Sequence, residues 1–125
     1  MDEIKIGMYV RTKHGIGKVD ETEMFMDKYF QFHLDSNKGR IHNVTTNTYW
    51  NSVEDIIGEP SDDPFKLIRP CDFVNGNEVL QVCDFHDGVR FIEFSEGRYI
   101  SSVESIYNIV TREQYEREMY IVNHE

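Results

Sequence analysis

Alanine is absent from this 125-residue chain, and leucine occurs three times against 12 isoleucines and 11 valines. Alanine and leucine lead the helix scale and β-branched residues favour strands, so this shortage excludes a helical bundle and predicts a mostly β protein. Cysteine is scarce too. Cys71 and Cys83 are the only two and form no C-x-x-C pair, which excludes a zinc knuckle or dithiol motif and fits reduced thiols in a cytoplasm. No run approaches the roughly 18 apolar residues that a bilayer crossing needs. The opening Met1-Asp2-Glu3 lacks the basic-then-apolar layout of a signal peptide, so a cytoplasmic protein without membrane contact is expected.

Positive charge is in deficit. Thirteen Lys and Arg face 23 Asp and Glu, for a formal charge of −10. Such a surface repels phosphate backbones, so direct binding of duplex DNA is not expected. It suits a basic groove on another protein, although acidity also serves plain solubility.

The chain repeats itself. Ile4-Lys5-Ile6-Gly7-Met8-Tyr9-Val10 matches Ile68-Arg69-Pro70-Cys71-Asp72-Phe73-Val74. Lys38-Gly39-Arg40-Ile41 is echoed by Glu96-Gly97-Arg98-Tyr99, and Asn51-Ser52-Val53-Glu54-Asp55-Ile56 by Ser101-Ser102-Val103-Glu104-Ser105-Ile106. The matches keep their order, so two copies of one supersecondary unit are expected, the first longer by an insertion near Asn43 to Trp50. Phe30, Phe32 and Leu34 alternate with Gln31 and His33, which is a half-buried strand. In the second copy Asp87-Gly88 between β-rich runs signals a hairpin. The Ser-Val-Glu-x-Ile segments read as a last strand or one 3₁₀ turn. Thr111-Arg112-Glu113-Gln114 fits a capping box, and Tyr115 and Met119 follow at i,i+4 spacing, so a helix over Arg112 to Tyr120 is predicted. So short a unit hides its sheet edges best by closing. The expected architecture is two tandem small SH3-like barrels at 1–58 and 68–110, an acidic linker at 59–67, and a C-terminal helix and tail at 111–125.

Two resemblances bear on function. Gly7-Met8-Tyr9-Val10-Arg11-Thr12-Lys13-His14-Gly15-Ile16-Gly17-Lys18-Val19 resembles the opening of Tudor-like and SH3-like barrels in bacterial nucleic-acid enzymes and transcription factors. Met8 stands where that pattern has Asp. The second copy keeps Asp72-Phe73-Val74 but has Cys71 in place of Gly and lacks the Gly-x-Gly turn. The repeated opening together with Ile109-Val110-Thr111-Arg112-Glu113-Gln114-Tyr115 resembles small acidic proteins of phages and mobile elements from Gram-positive bacteria. Some of those are anti-CRISPR inhibitors. This resemblance implies a non-enzymatic inhibitor of a host nucleic-acid-handling machine, with a CRISPR-associated nuclease as one such partner. The first resemblance implies a different role, a transcription-associated module that binds RNA polymerase through the first barrel. A virion structural or assembly protein is a third reading.

Candidate partner-binding residues are the acidic Asp62, Asp63, Glu113, Glu116 and Glu118, and the aromatic pair Tyr49-Trp50 in the inserted segment. Trp and Tyr dominate interface hot spots. The rival role for Trp50, plugging the barrel end or the junction between barrels, is the one that the usual burial of Trp favours. Lys5, Arg11, Lys13 and Lys18 form a stretch without an acid between Ile4 and Val19, a candidate basic edge for RNA or an acidic patch. Lys13 to Lys18 is not a phosphate-cradling loop, since no helix is expected after it and Val19 follows Lys18. Asp84, His86 and Asp87 would suit a metal and Cys83 with His86 a thiolate–imidazole pair, but a hairpin tip accounts for these polar residues and no third orienting group is marked. No metal, no cofactor and no catalytic residue are expected.

Overall fold

The computed structural model describes residues 4–84 and 89–117. Two five-stranded antiparallel sheets and one short helix make up the fold. The first sheet holds β1 (Tyr9–Thr12), β2 (Gly15–Phe25), β3 (Tyr29–Leu34), β4 (Ile41–Asn43) and β5 (Thr48–Ser52), in the order β1-β2-β3-β5-β4. The second holds β6 (Phe73–Val74), β7 (Asn77–Asp84), β8 (Arg90–Phe94), β9 (Tyr99–Ile100) and β10 (Ile109–Val110), in the order β10-β6-β7-β8-β9. The helix α1 spans residues 112–117.

The repeat seen in the sequence reappears bond by bond. In the first unit Gly7 N–H donates to Val19 O and Val19 N–H to Met8 O, each at 2.8 Å. In the second, Cys71 N–H donates to Val79 O at 2.9 Å and Val79 N–H to Asp72 O at 2.8 Å. This turn needs a left-handed residue, and Gly7 (φ 98°) and Cys71 (φ 76°) both supply it. Glycine does so without the Cβ penalty that cysteine carries. Both long strands then shift register at the same place, between Val19 and Glu21 and between Val79 and Gln81. A bulge bends and re-aims a strand, so β2 and β7 each serve two differently facing ribbons.

Each unit ends by returning to its first strand. Ile57 N–H donates to Arg11 O at 2.7 Å, and Tyr9 and Ser61 exchange backbone bonds. In the second unit β10 pairs with β6. The two Ser-Val-Glu-x-Ile segments are 3₁₀ turns, Val53–Asp55 and Val103–Ser105. The insertion in the first unit is the β4–β5 hairpin, whose Ile41 faces Trp50 and whose Asn43 faces Thr48. Gly39 lets this hairpin close on the sheet, because a Cβ there would lie 2.6 Å from Trp50 O. The second unit has only a tight turn between β8 and β9, in which Gly97 N–H donates to Phe94 O.

Two apolar clusters form the interior. Ile4, Val10, Val19, Phe32 and Leu34 fill the first unit. Phe65, Leu67, Ile68, Val74, Val79, Ile92 and Phe94 fill the second, joined by Ile16 from β2 of the first. Burying side chains of this size contributes about 1.5–3 kcal/mol each, and neither cluster alone is large. Residues 59–67, the expected acidic linker, are held down. Ser61 bonds to Tyr9, the 3₁₀ turn Pro64–Lys66 is capped by the Asp63 carboxylate, and Phe65 and Leu67 are buried. The apolar Phe65 and Leu67 draw the stretch into the second core.

The capping box at α1 forms as the sequence predicts, with Gln114 N–H donating to Thr111 Oγ1 and Thr111 N–H to Gln114 Oε1. Tyr115 packs on Phe73 with ring centroids 4.7 Å apart. The remainder of the helix expected to Tyr120, and the Asp87-Gly88 turn, lie outside the described residues. A hairpin turn that the sequence reading passed over is Asn75-Gly76 between β6 and β7, both at positive φ. It is the Asn-Gly pair that such two-residue turns favour.

Candidate protein-binding surface

The expected basic edge loses one of its four side chains to the interior. Lys5, Lys13 and Lys18 are exposed, but Arg11 is 2% exposed and points inward. Its Nη1 lies 2.5 Å from Asp72 Oδ2 and donates to Leu67 O at 2.9 Å, and its Nη2 donates to Asp72 Oδ1 at 2.8 Å and to Glu113 Oε2 at 2.6 Å. Asp72 is fully buried and also accepts from Arg69 N–H and Arg112 N–H. One guanidinium thus ties β1 of the first unit to the second unit and to α1. Burial disfavours its charge, but the hydrogen bonds and charges of Asp72 and Glu113 outweigh that and raise its pKa. Paired this way, Arg11 is not available to RNA.

The same network consumes part of the expected acidic surface. Glu113 is bonded to Arg11. Asp63 caps Phe65 N–H and pairs with Arg90. Glu116 pairs with Arg112 along α1 at 2.8 Å, and Asp62 is exposed. Glu118 lies outside the described residues.

Tyr49 and Trp50 separate. Tyr49 is exposed and stacks on His42 at 4.4 Å. Trp50 is 6% exposed, and its Nε1–H donates to Thr48 Oγ1 at 2.8 Å. It sits on the outer face of the first sheet, where the register places it beside His33 and Ile41. His33 Nδ1 lies 2.7 Å from Asp20 Oδ1 and Nε2 lies 2.9 Å from Asn37 Oδ1. Asn37 Oδ1 also accepts from Tyr49 N–H, so it is an oxygen, and both ring nitrogens of His33 must donate. That geometry favours the imidazolium form. Burial opposes the charge, but the bonds to Asn37 and Asp20 and the carboxylates of Asp20 and Glu21 prevail and raise the pKa of His33.

Around Trp50 the outer face is concave. One cavity of about 360 Å³ is lined by Glu23, Phe25, Gln31, Ile41, Val44 and Trp50, among others. A second of about 530 Å³ is lined by Asp20, Glu21, Glu23, His33, Thr48 and Trp50, among others. Glu23, Asn43 and Trp50 belong to both, so the two form one trough between β2 and the β4–β5 hairpin. Beyond it stands the tip of the β2–β3 hairpin, where Met24, Phe25, Met26 and Tyr29 are all more than half exposed, and Val44 on the facing turn is 79% exposed. The sequence reading did not single out this apolar tip. Its signal is the run Met24-Phe25-Met26, which breaks the strand's alternation between Glu23 and Asp27.

Cys71 is exposed and Cys83 half-buried, and both are free thiols. His86 and Asp87 lie outside the described residues, and with them the Asp84 metal site and the Cys83 pair. Among the described residues no group of three or more His, Cys, Asp or Glu is placed to hold a metal ion. No helix among them is long and apolar enough to cross a membrane. No family model matches the chain, and no curated protein or solved structure shows significant similarity to it.

Proposed function

We propose that this chain is a non-enzymatic binding protein of two small SH3-like barrels that inhibits a host nucleic-acid-handling machine by covering a basic surface of that machine. The return of each unit to its first strand and the paired bulges support the barrel reading. The observation that carries the functional reading is the exposed apolar hairpin tip, Met24, Phe25, Met26 and Tyr29, set among Glu21, Glu23 and Asp27 on a chain of formal charge −10. Contiguous apolar surface rimmed by charge is how proteins present themselves to other proteins. The acidic rim would approach the groove in which a nuclease or polymerase holds its nucleic acid, and the apolar tip would supply the lasting contact. Burial of Arg11 removes the central cation from the edge that would have met RNA or an acidic patch.

The test has two stages. Proteins retained by the immobilised chain from a Gram-positive host lysate are identified, and each purified candidate is then assayed for nucleic-acid binding with and without a stoichiometric excess of the chain. Loss of nucleic-acid binding is the expected result. A retained partner whose nucleic-acid binding is unchanged overturns the inhibitor reading.

A further inference from the structure

We propose that the trough on the outer face of the first sheet is a docking site for an extended segment of a partner protein, one that carries basic side chains at alternate positions followed by an apolar one. The proposal rests on the binding role proposed above and assigns it to one face.

Charge complementarity selects this occupant. Register places Glu21 and Glu23 on the same face of β2, opposite His33 and Gln31, with Phe25 and Tyr29 next in line at the tip. Residues two apart on a strand are about 7 Å apart, which is also the spacing of alternate side chains in an extended peptide. Two lysines or arginines at i and i+2 therefore meet Glu21 and Glu23 in turn, and an apolar residue at i+4 reaches Phe25, Tyr29 and Val44. Both carboxylates are exposed, and among the described residues neither forms a salt bridge with Lys or Arg; the one cationic group in the trough, the His33 ring opposite Glu21, is held by Asp20. No Lys or Arg lines either half of the trough. A second copy of this chain does not fit trough to trough, because that would bring Glu21 and Glu23 against like charges.

The second unit shows what the face looks like without this role. There Gln81 stands opposite Glu93 and donates to it, Cys83 stands opposite Phe91, and Phe91 packs on Tyr99. The frame is the same, but the paired acids, the tryptophan and the flanking hairpin are missing.

The experiment titrates the full chain with a peptide containing Arg-Ser-Arg-Ser-Phe and with a control containing Arg-Arg-Ser-Ser-Phe. The readout is the fluorescence of Trp50, the single tryptophan and the floor of the trough. The alternating peptide is expected to bind more tightly than the control. Glu21→Gln with Glu23→Gln should weaken it by about tenfold, the sum expected of two exposed ion pairs. Glu93→Gln in the second unit should leave it unchanged. Equal affinity for the two peptides, or equal affinity for the parent and the Glu21→Gln/Glu23→Gln variant, overturns the assignment. A dimer in sedimentation equilibrium that the double substitution strengthens also overturns it, since the face would then belong to a second copy. Capture of the intact partner separates the two proposals. If the double variant still captures and inhibits that partner, the binding role stands and the site lies elsewhere.

Discussion

The two units share a frame and differ in what they do with it. Both open on the same left-handed turn, bulge at the same point and return to their first strand. The first unit keeps glycine at that turn, exposes Met24, Phe25, Met26 and Tyr29 at the β2–β3 tip, and adds the β4–β5 hairpin over Trp50. The second puts cysteine at the turn, closes β8 on β9 with a short loop, and uses Asp72 to receive Arg11 from its neighbour. Elaboration is concentrated in the first unit and the joining chemistry in the second. One copy is thus shaped toward the outside and the other toward its partner unit.

Breaking the join should have the largest effect. Arg11→Met leaves Asp72 buried with its charge uncompensated and is expected to cost about 3–5 kcal/mol in chemical denaturation. Adding Asp72→Leu to Arg11→Met should recover part of that loss. A double variant no more stable than Arg11→Met alone would show that the pair does not act as a unit. Next in size is the hairpin that distinguishes the first unit. Gly39→Ala must push its Cβ away from the Trp50 carbonyl, at an expected cost of about 1–3 kcal/mol. That change should also alter Trp50 fluorescence, which an equal loss of stability from the second unit should leave untouched.

A smaller and opposite effect is expected where the second unit departs from the first. Cys71→Gly removes a side chain from a left-handed position and should raise stability by about 0.5–1 kcal/mol, the strain relieved exceeding the added chain entropy. Gly7→Ala in the first unit should lower it. If Cys71→Gly is destabilising, the two turns are not equivalent. The smallest expected effect is on pH dependence. His33 should titrate above its ordinary value of 6.5, and His14, whose charge burial and Arg117 disfavour, below it. Because the folded pKa of His33 is raised, its stabilising contribution is full below 6.5 and fades as pH rises through the folded midpoint. Ring-proton chemical shifts followed against pH give both midpoints. A His33 midpoint at or below 6.5 removes the imidazolium from the first unit.

Local patterns were readable in the sequence, whereas partners distant along the chain were not. The β composition, the repeat, the 3₁₀ segments and the Thr111–Gln114 box all depend on residues close together, and the structure carries each of them. Arg11 was misplaced because its neighbours in sequence include no acid, whereas the carboxylate that fixes it lies 61 positions away. Asp63 and Glu113 looked like free surface charge for the same reason. The apolar tip was legible in Met24-Phe25-Met26 but passes for core if exposure is judged from residue type alone. The trough could not be read in advance, since it exists only once the β4–β5 hairpin folds beside β2.

The placement of Ile16 has a consequence for how the chain gains and loses its structure. This residue belongs by sequence to the first unit but lies in the apolar interior of the second. The second half lacks a complete interior of its own, and the buried Arg11–Asp72 pair ties the halves together, so melting should proceed in a single cooperative step, and cutting the chain between the copies should leave the later fragment with a vacancy that the earlier one must fill. Two tandem copies have in this way given up their independence. Fragments 1–58 and 59–125, each poorly folded alone, should regain structure when mixed in equal amounts.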